Sequence, residues 1–227
     1  MSEDFAADVT RVAALGEPVR RELYRYVVAQ DEPVSRDSAA SGTGVAHHVA
    51  KFNLDRLVAD GLLDVEYRRP AGRTGPGAGR PAKFYRRAAR DIAVSLPERR
   101  YDLAGRVLAE AITIAGQDQV ALDDALQVAA RATGRRLGEK AELNETVPVR
   151  DAVSRVLAGN GYEPRTVEGE IVLANCPFHS LAVDYTELMC GVNRDLVQGV
   201  LDVLCSGVLS ARLNPGPGRC CVTVGQA

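Results

Sequence analysis

The apolar positions organise residues 10–65 first. In TRVAALGEPVRRELYRYVVAQ (10–30), Leu15, Val19, Leu23, Tyr26 and Val27 recur at helical spacing. Gly16 and Pro18 interrupt the run, which predicts a short helix and then a longer one with Pro18 in its first turn. In the stretch 31–65, Ser35 can cap a short helix of small residues and Gly42 to Gly44 can turn the chain. A second helix is expected from about Ala46 to Ala59, stopped at Gly61. On it His47, His48, Lys51 and Asp55 share one face, and Val45, Val49 and Phe52 share another, read as the face that holds the helix on its scaffold. LLDVEYRR (62–69) and RPAKFYRR (80–87), joined by the Gly/Pro-rich PAGRTGPGAG, predict a β-hairpin.

Further on, 95–117 and 120–143 read as two amphipathic helices, with stripes Leu103, Val107, Leu108, Ala111 and Leu122, Leu126, Ala129. A short helix over 149–161 precedes a hairpin turning at Glu168–Gly169. One long helix is expected over 180–207 with Ser180 as N-cap, then a closing hairpin turning at Asn214–Gly218. The expected fold class is α+β. A winged helix-turn-helix domain spans 1–95, linking and dimerisation helices 96–145, and a cysteine-containing α+β domain of two hairpins and one long helix 146–227.

Composition narrows the class. Hydrophobic residues make up 46% of the 227, enough for a core, and no apolar run approaches the roughly 18 residues that span a bilayer. The acidic start MSEDFAADVTR lacks a basic-then-apolar leader, so a cytoplasmic protein with reduced thiols is expected and a disulfide framework is not. Net charge is −2, but residues 67–90 hold eight Lys and Arg and no acid, a stretch suited to a polyanion. A helix, tight turn and helix followed by a basic hairpin make a winged helix for double-stranded DNA. His47, His48 and Lys51 would read the groove while Arg68, Arg69, Arg73, Arg80 and Lys83 grip phosphates. Such proteins bind paired half-sites as dimers, so a homodimer is expected. An enzyme is disfavoured: C-x-x-C and a glycine-rich phosphate loop are missing, and two of the three His lie on the DNA-reading helix.

The five cysteines raise the other question. Cys205 lies 15 residues beyond Cys190 on one expected helix, about 22 Å away, and is read as a small buried hydrophobe. Cys220 and Cys221 are expected on the last strand, where neighbours face opposite sides, so one of them joins Cys176 and Cys190. His179 and Glu187 are candidates for a fourth ligand. Three thiols delivered singly by separate elements suit an iron–sulfur cluster. Zinc and free redox-sensing thiols stay open on spacing alone.

VSRDSAASGTGVAHHVAKFNLDRLVADGLL with GRPAKFY, and NCPFH with ARLNPGPGRCC near the end, resemble ArsR/DeoR-like winged-helix repressors, in particular the SufR-type branch. Asn53 stands where those relatives often carry His, a change expected to adjust DNA contacts. The resemblance implies a repressor controlled by a [4Fe–4S] cluster on three cysteines, matching Cys176, Cys190 and one of the GRCC pair, with Cys220 preferred.

Overall fold

The computed structural model describes residues 3–68, 81–141 and 147–227. Two compact units divide the chain, Glu3–Val94 and Ser95–Ala227.

The first unit opens with α1 (Glu3–Ala14) and α2 (Pro18–Val28). The Glu17 carboxylate accepts from the amides of Val19 (3.1 Å) and Arg20 (2.7 Å), and Pro18 begins the helix where its missing N–H costs nothing. A short β1 (Val34–Ser35) leads into α3 (Arg36–Thr43), whose N-cap Ser35 accepts from the Ser38 amide at 3.1 Å. Gly44 turns the chain at φ 68°, a conformation that glycine takes freely, and α4 (His47–Ala59) follows. After Gly61, β2 (Leu63–Arg68) and β3 (Ala82–Arg87) pair antiparallel, and β1 adds to β3 with Val34 opposite Tyr85. The expected tip of this hairpin, 69–80, lies outside the described residues. Leu23, Val27, Ala39, Ala50, Leu54, Leu57, Leu63 and Tyr85 form the core.

The second unit is built around one helix. In it, α5 (Tyr101–Asp118) and α6 (Leu122–Glu139) are followed by α7 (Val149–Ala158), β4 (Pro164–Val167) and β5 (Glu170–Leu173). Then come α8 (His179–Asp184), α9 (Thr186–Leu204), β6 (Leu209–Leu213) and β7 (Val222–Gln226). The sheet runs β4-β5-β7-β6, all antiparallel. Met189, Val192 and Leu196 of α9 enter a core with α5, α6 and Phe178. Val197 and Leu201 enter another with α7 and the sheet. The helices expected as a separate linking segment over 96–145 therefore share a unit with 146–227.

Contact between α6 and α9 is unusually close. A Cβ at Gly134 would sit 1.9 Å from the Leu196 carbonyl oxygen, and one at Gly199 would sit 2.1 Å from that of Arg131. Arg131 then grips the Asp202 carboxylate with Nε and Nη2 at 2.5 and 3.0 Å.

The structure corrects two expected elements. The single helix of 180–207 is broken at Tyr185 (φ −130°, ψ 57°), so Ser180 lies inside α8 and bonds the Tyr101 hydroxyl at 2.7 Å rather than capping a long helix. Cys220 and Cys221 precede β7 instead of lying on it, so strand alternation does not govern them.

Candidate functional site

Two groups of residues stand out, one in each unit. The first is the outer face of α4. His47, His48, Lys51, Phe52 and Arg56 are exposed, while Ala50, Asn53, Leu54 and Leu57 face the core at i, i+3, i+4, i+7 spacing. Phe52, assigned above to the scaffold face, is 71% exposed. Counting helical spacings from Leu54 and Leu57 would have placed it outward, because those two leucines, not Val45 and Val49, define the buried stripe. Asn53 is buried and donates to the Val49 carbonyl at 3.0 Å, so it acts inside the helix rather than toward DNA.

Asp55, placed above on the polar face, is turned onto the hairpin. Its carboxylate accepts from Lys83 and from the hydroxyl of the fully buried Tyr85 at 2.9 Å. Burial raises its pKa, but the Lys83 and Tyr85 hydrogen bonds outweigh that and hold the carboxyl below its ordinary value. Lys83 is therefore an internal tie between α4 and β3, with its ammonium 5.2 Å from the Tyr85 ring centre. Arg68 lies over the Phe84 ring at 5.5 Å and pairs with Glu66 and Glu32. His47 Nε2 lies 2.6 Å from Asp37 Oδ1, joining the first turns of α4 and α3. Arg69, Arg73 and Arg80 lie outside the described residues.

The second group is a thiol cluster at the N-terminal end of α9. Cys176 comes from the loop after β5, Cys190 from the second turn of α9, and Cys220 and Cys221 from the loop before β7. Cys220 donates a thiol hydrogen bond to Cys176, and Cys190 donates one to Cys221. Four thiols meet, one more than expected. Cys205 stays apart, buried in the α9–sheet core. The thiols meet as two pairs. Among the described residues, no three or more His, Cys, Asp or Glu side chains are grouped as one metal ion would require.

The loops are held firmly. Arg99 donates to the Asn175 side chain at 2.5 Å and to the Cys176 carbonyl at 2.7 Å. The Asn175 amide donates to the carbonyls of Gly161 (2.6 Å) and Glu98 (2.9 Å). On α9, buried Asn193 accepts from the Tyr162 hydroxyl and donates to the Cys220 sulfur at 3.1 Å. The Cys220 amide bonds the Leu173 carbonyl at 2.8 Å, and the Asn214 amide bonds the Cys221 carbonyl at 2.7 Å.

These surroundings split the thiols electrostatically. The hydrogen bond from Cys220 lowers Cys176 to about 7 against the cost of burial, helped by the Phe178 amide and the Arg99 guanidinium. That same bond pushes Cys220 up. Burial first, then Cys221, pushes Cys190 up to about 12. Of these three thiols, Cys176 is thus the one favoured as thiolate, while Cys190 and Cys220 are favoured as protonated thiols.

Neither expected fourth ligand joins the cluster. His179 is exposed at the start of α8, with its amide bonded to the Cys176 carbonyl at 3.1 Å. Glu187 is exposed and lines a groove with Asp123, Asp124 and Gln127 of α6.

Comparison with known proteins bears on the first unit. Residues 15–66 match the family described as a helix-turn-helix domain. No curated protein and no solved structure matches the chain. Among the described residues no helix is long and apolar enough to cross a membrane. With α3, the Gly44 turn and the exposed face of α4 inside the matched span, the chain carries the helix-turn-helix domain of a DNA-binding transcriptional regulator.

Proposed function

We propose that this protein is a homodimeric transcriptional repressor whose operator affinity is set by an iron–sulfur cluster, a [4Fe–4S] centre, held by Cys176, Cys190 and Cys220. The observation that carries this reading is the convergence of thiols from three separate elements at the N-terminal end of α9. The donor set fits the group. Thiolates are the ligands such clusters take, and donors spread over separate elements match separate corners. Arg99 and the Asn193 amide supply the positive charge and N–H donors that a negatively charged thiolate cluster needs around it.

When bound, the cluster supplies redox- and oxidant-sensitive chemistry. The chain's own residues do the rest. Cys176 would anchor the loop after β5, Cys190 α9, and Cys220 the loop before β7, so ligation would add one further tie among three segments that hydrogen bonds already join. Release of that tie is the local event, and a change in operator affinity is its readout. On the DNA side, His47, His48, Lys51 and Phe52 on α4 face the major groove, and the basic wing contacts phosphates.

A second reading, a thiol sensor on the same scaffold, is favoured by the pairing of Cys176 with Cys220 and Cys190 with Cys221, two couples in thiol contact. Zinc is the third alternative. Anaerobic purification followed by a visible spectrum with iron, sulfide and zinc assays separates the three. Matching iron and sulfide with broad visible absorption is the expected result. Colourless protein after reconstitution, with or without zinc, sinks the cluster reading and leaves the DNA-binding domain intact.

A further inference from the structure

The loop before β7 delivers two thiols where strand geometry predicts one. Cys220 and Cys221 are adjacent, yet both reach α9. Cys220 receives the Asn193 amide at 3.1 Å, and Cys221 receives the Cys190 thiol. The backbone explains how. Cys220 is fixed through its amide to Leu173 on β5, Cys221 through its carbonyl to Asn214 at the end of β6, and the chain bends at Cys221 before β7 begins. That bend breaks the alternation that would send one side chain to each face.

We propose that Cys221 is the fourth ligand of the cluster, which would be bound by thiolates alone. This inference rests on the cluster reading above. Its alternatives within this unit are weaker on geometry. His179 is exposed at the start of α8, and Glu187 is exposed along the groove beside α6. Cys221, by contrast, touches Cys190 directly and follows Cys220 in the chain, so it already stands among the thiols that would hold the cluster. An all-thiolate shell leaves no corner to water or a small molecule, so iron would leave slowly.

The test uses the full chain, reconstituted anaerobically, as wild type and as Cys221→Ala, Cys221→Ser, His179→Ala and Glu187→Gln. Iron and sulfide are counted on each, and iron loss to an added chelator is followed spectroscopically. Both Cys221 variants are expected to release iron at least about tenfold faster than wild type. Their cluster electron paramagnetic resonance signal after reduction should shift. His179→Ala and Glu187→Gln should match wild type in both readouts. Circular dichroism of the metal-free variants controls for folding, and the serine variant keeps the volume of the site. Wild-type release rates and signal in both Cys221 variants overturn this assignment while leaving the cluster reading standing, as does accelerated loss confined to the His179 or Glu187 variant. A wild-type chain that takes up no iron and sulfide overturns both.

Discussion

Phe52 exposes most of its ring on the outer face of α4, next to Lys51 and one turn from His48 and Arg56. An aromatic left in water on the helix proposed to read DNA suits apolar contact with the methyl group of thymine. Phe52→Ala is expected to weaken operator binding about fivefold or more, the effect of roughly 1 kcal/mol, while leaving the melting temperature unchanged because no core contact is lost. Equal affinity of variant and wild type for operator DNA in a fluorescence titration would remove Phe52 from the reading face. Tyr85 gives the opposite case. It is fully buried, and its hydroxyl ties β3 to Asp55 of α4. Tyr85→Phe should cost about 1 kcal/mol in chemical denaturation. Single residues also mark what the sequence showed readily. Ser35, Gly44 and Gly61 act through their own backbone and nearest amides, so their roles as cap, turn and stop needed no knowledge of distant partners.

Elements meet most closely where α6 crosses α9. Alanine normally stabilises a helix interior relative to glycine by about 1 kcal/mol. The structure predicts that the sign depends on position. Gly105 in α5 has no atom within 4 Å of a built Cβ, so Gly105→Ala should stabilise. Gly134→Ala meets the backbone of α9 and should destabilise by about 1–3 kcal/mol, because the two helices must move apart. Urea unfolding of the two variants reads both signs, and stabilisation by Gly134→Ala would contradict the crossing. Beside it, hydrogen bonds from Arg131, then Gln198, hold the Asp202 carboxyl down to about 2 against burial, below its ordinary 3.8. A lowered folded-state pKa stabilises fully above the ordinary value and loses that contribution as pH falls toward about 2. Arg131 is 40% exposed, so screening reduces the benefit to about 1 kcal/mol. Asp202→Asn should thus be less stable than wild type at neutral pH, with the gap closing between pH 4 and pH 2, about the window set by those two values. A gap that persists at the acid end would point away from the carboxylate. The sequence marked each of these helices but not their crossing, since a glycine's neighbour lies some sixty residues away.

For the whole molecule, the proposal is a coupling between cofactor occupancy and DNA affinity. Coupling energies of about 1–3 kcal/mol correspond to roughly 5- to 150-fold. Cys176→Ser and Cys190→Ser should each abolish the cluster and weaken operator binding within that range. Their non-specific DNA binding and its salt dependence should stay unchanged, since the wing and α4 are untouched. Gel-shift titrations at two salt concentrations check both parts. Unchanged cofactor content in either variant would defeat the ligand assignment.

Local chemistry in the sequence determined the helix-turn-helix and its hairpin, because caps, glycine turns and alternating apolar residues act over a few positions. That Cys176, Cys190 and one of Cys220 and Cys221 should converge was expected from the order of their elements, although the strand expected to carry the last pair begins only at Val222, and the preference for Cys220 came from the resemblance alone. Three matters waited for the tertiary structure. The break at Tyr185 carries no glycine or proline to announce it, yet it lets Phe178 and Met189 enter one core. The outward turn of Phe52 was decided by which stripe of α4 packs on its neighbours. The meeting of both Cys220 and Cys221 with α9 depended on backbone hydrogen bonds to β5 and Asn214, contacts that no spacing along the chain encodes.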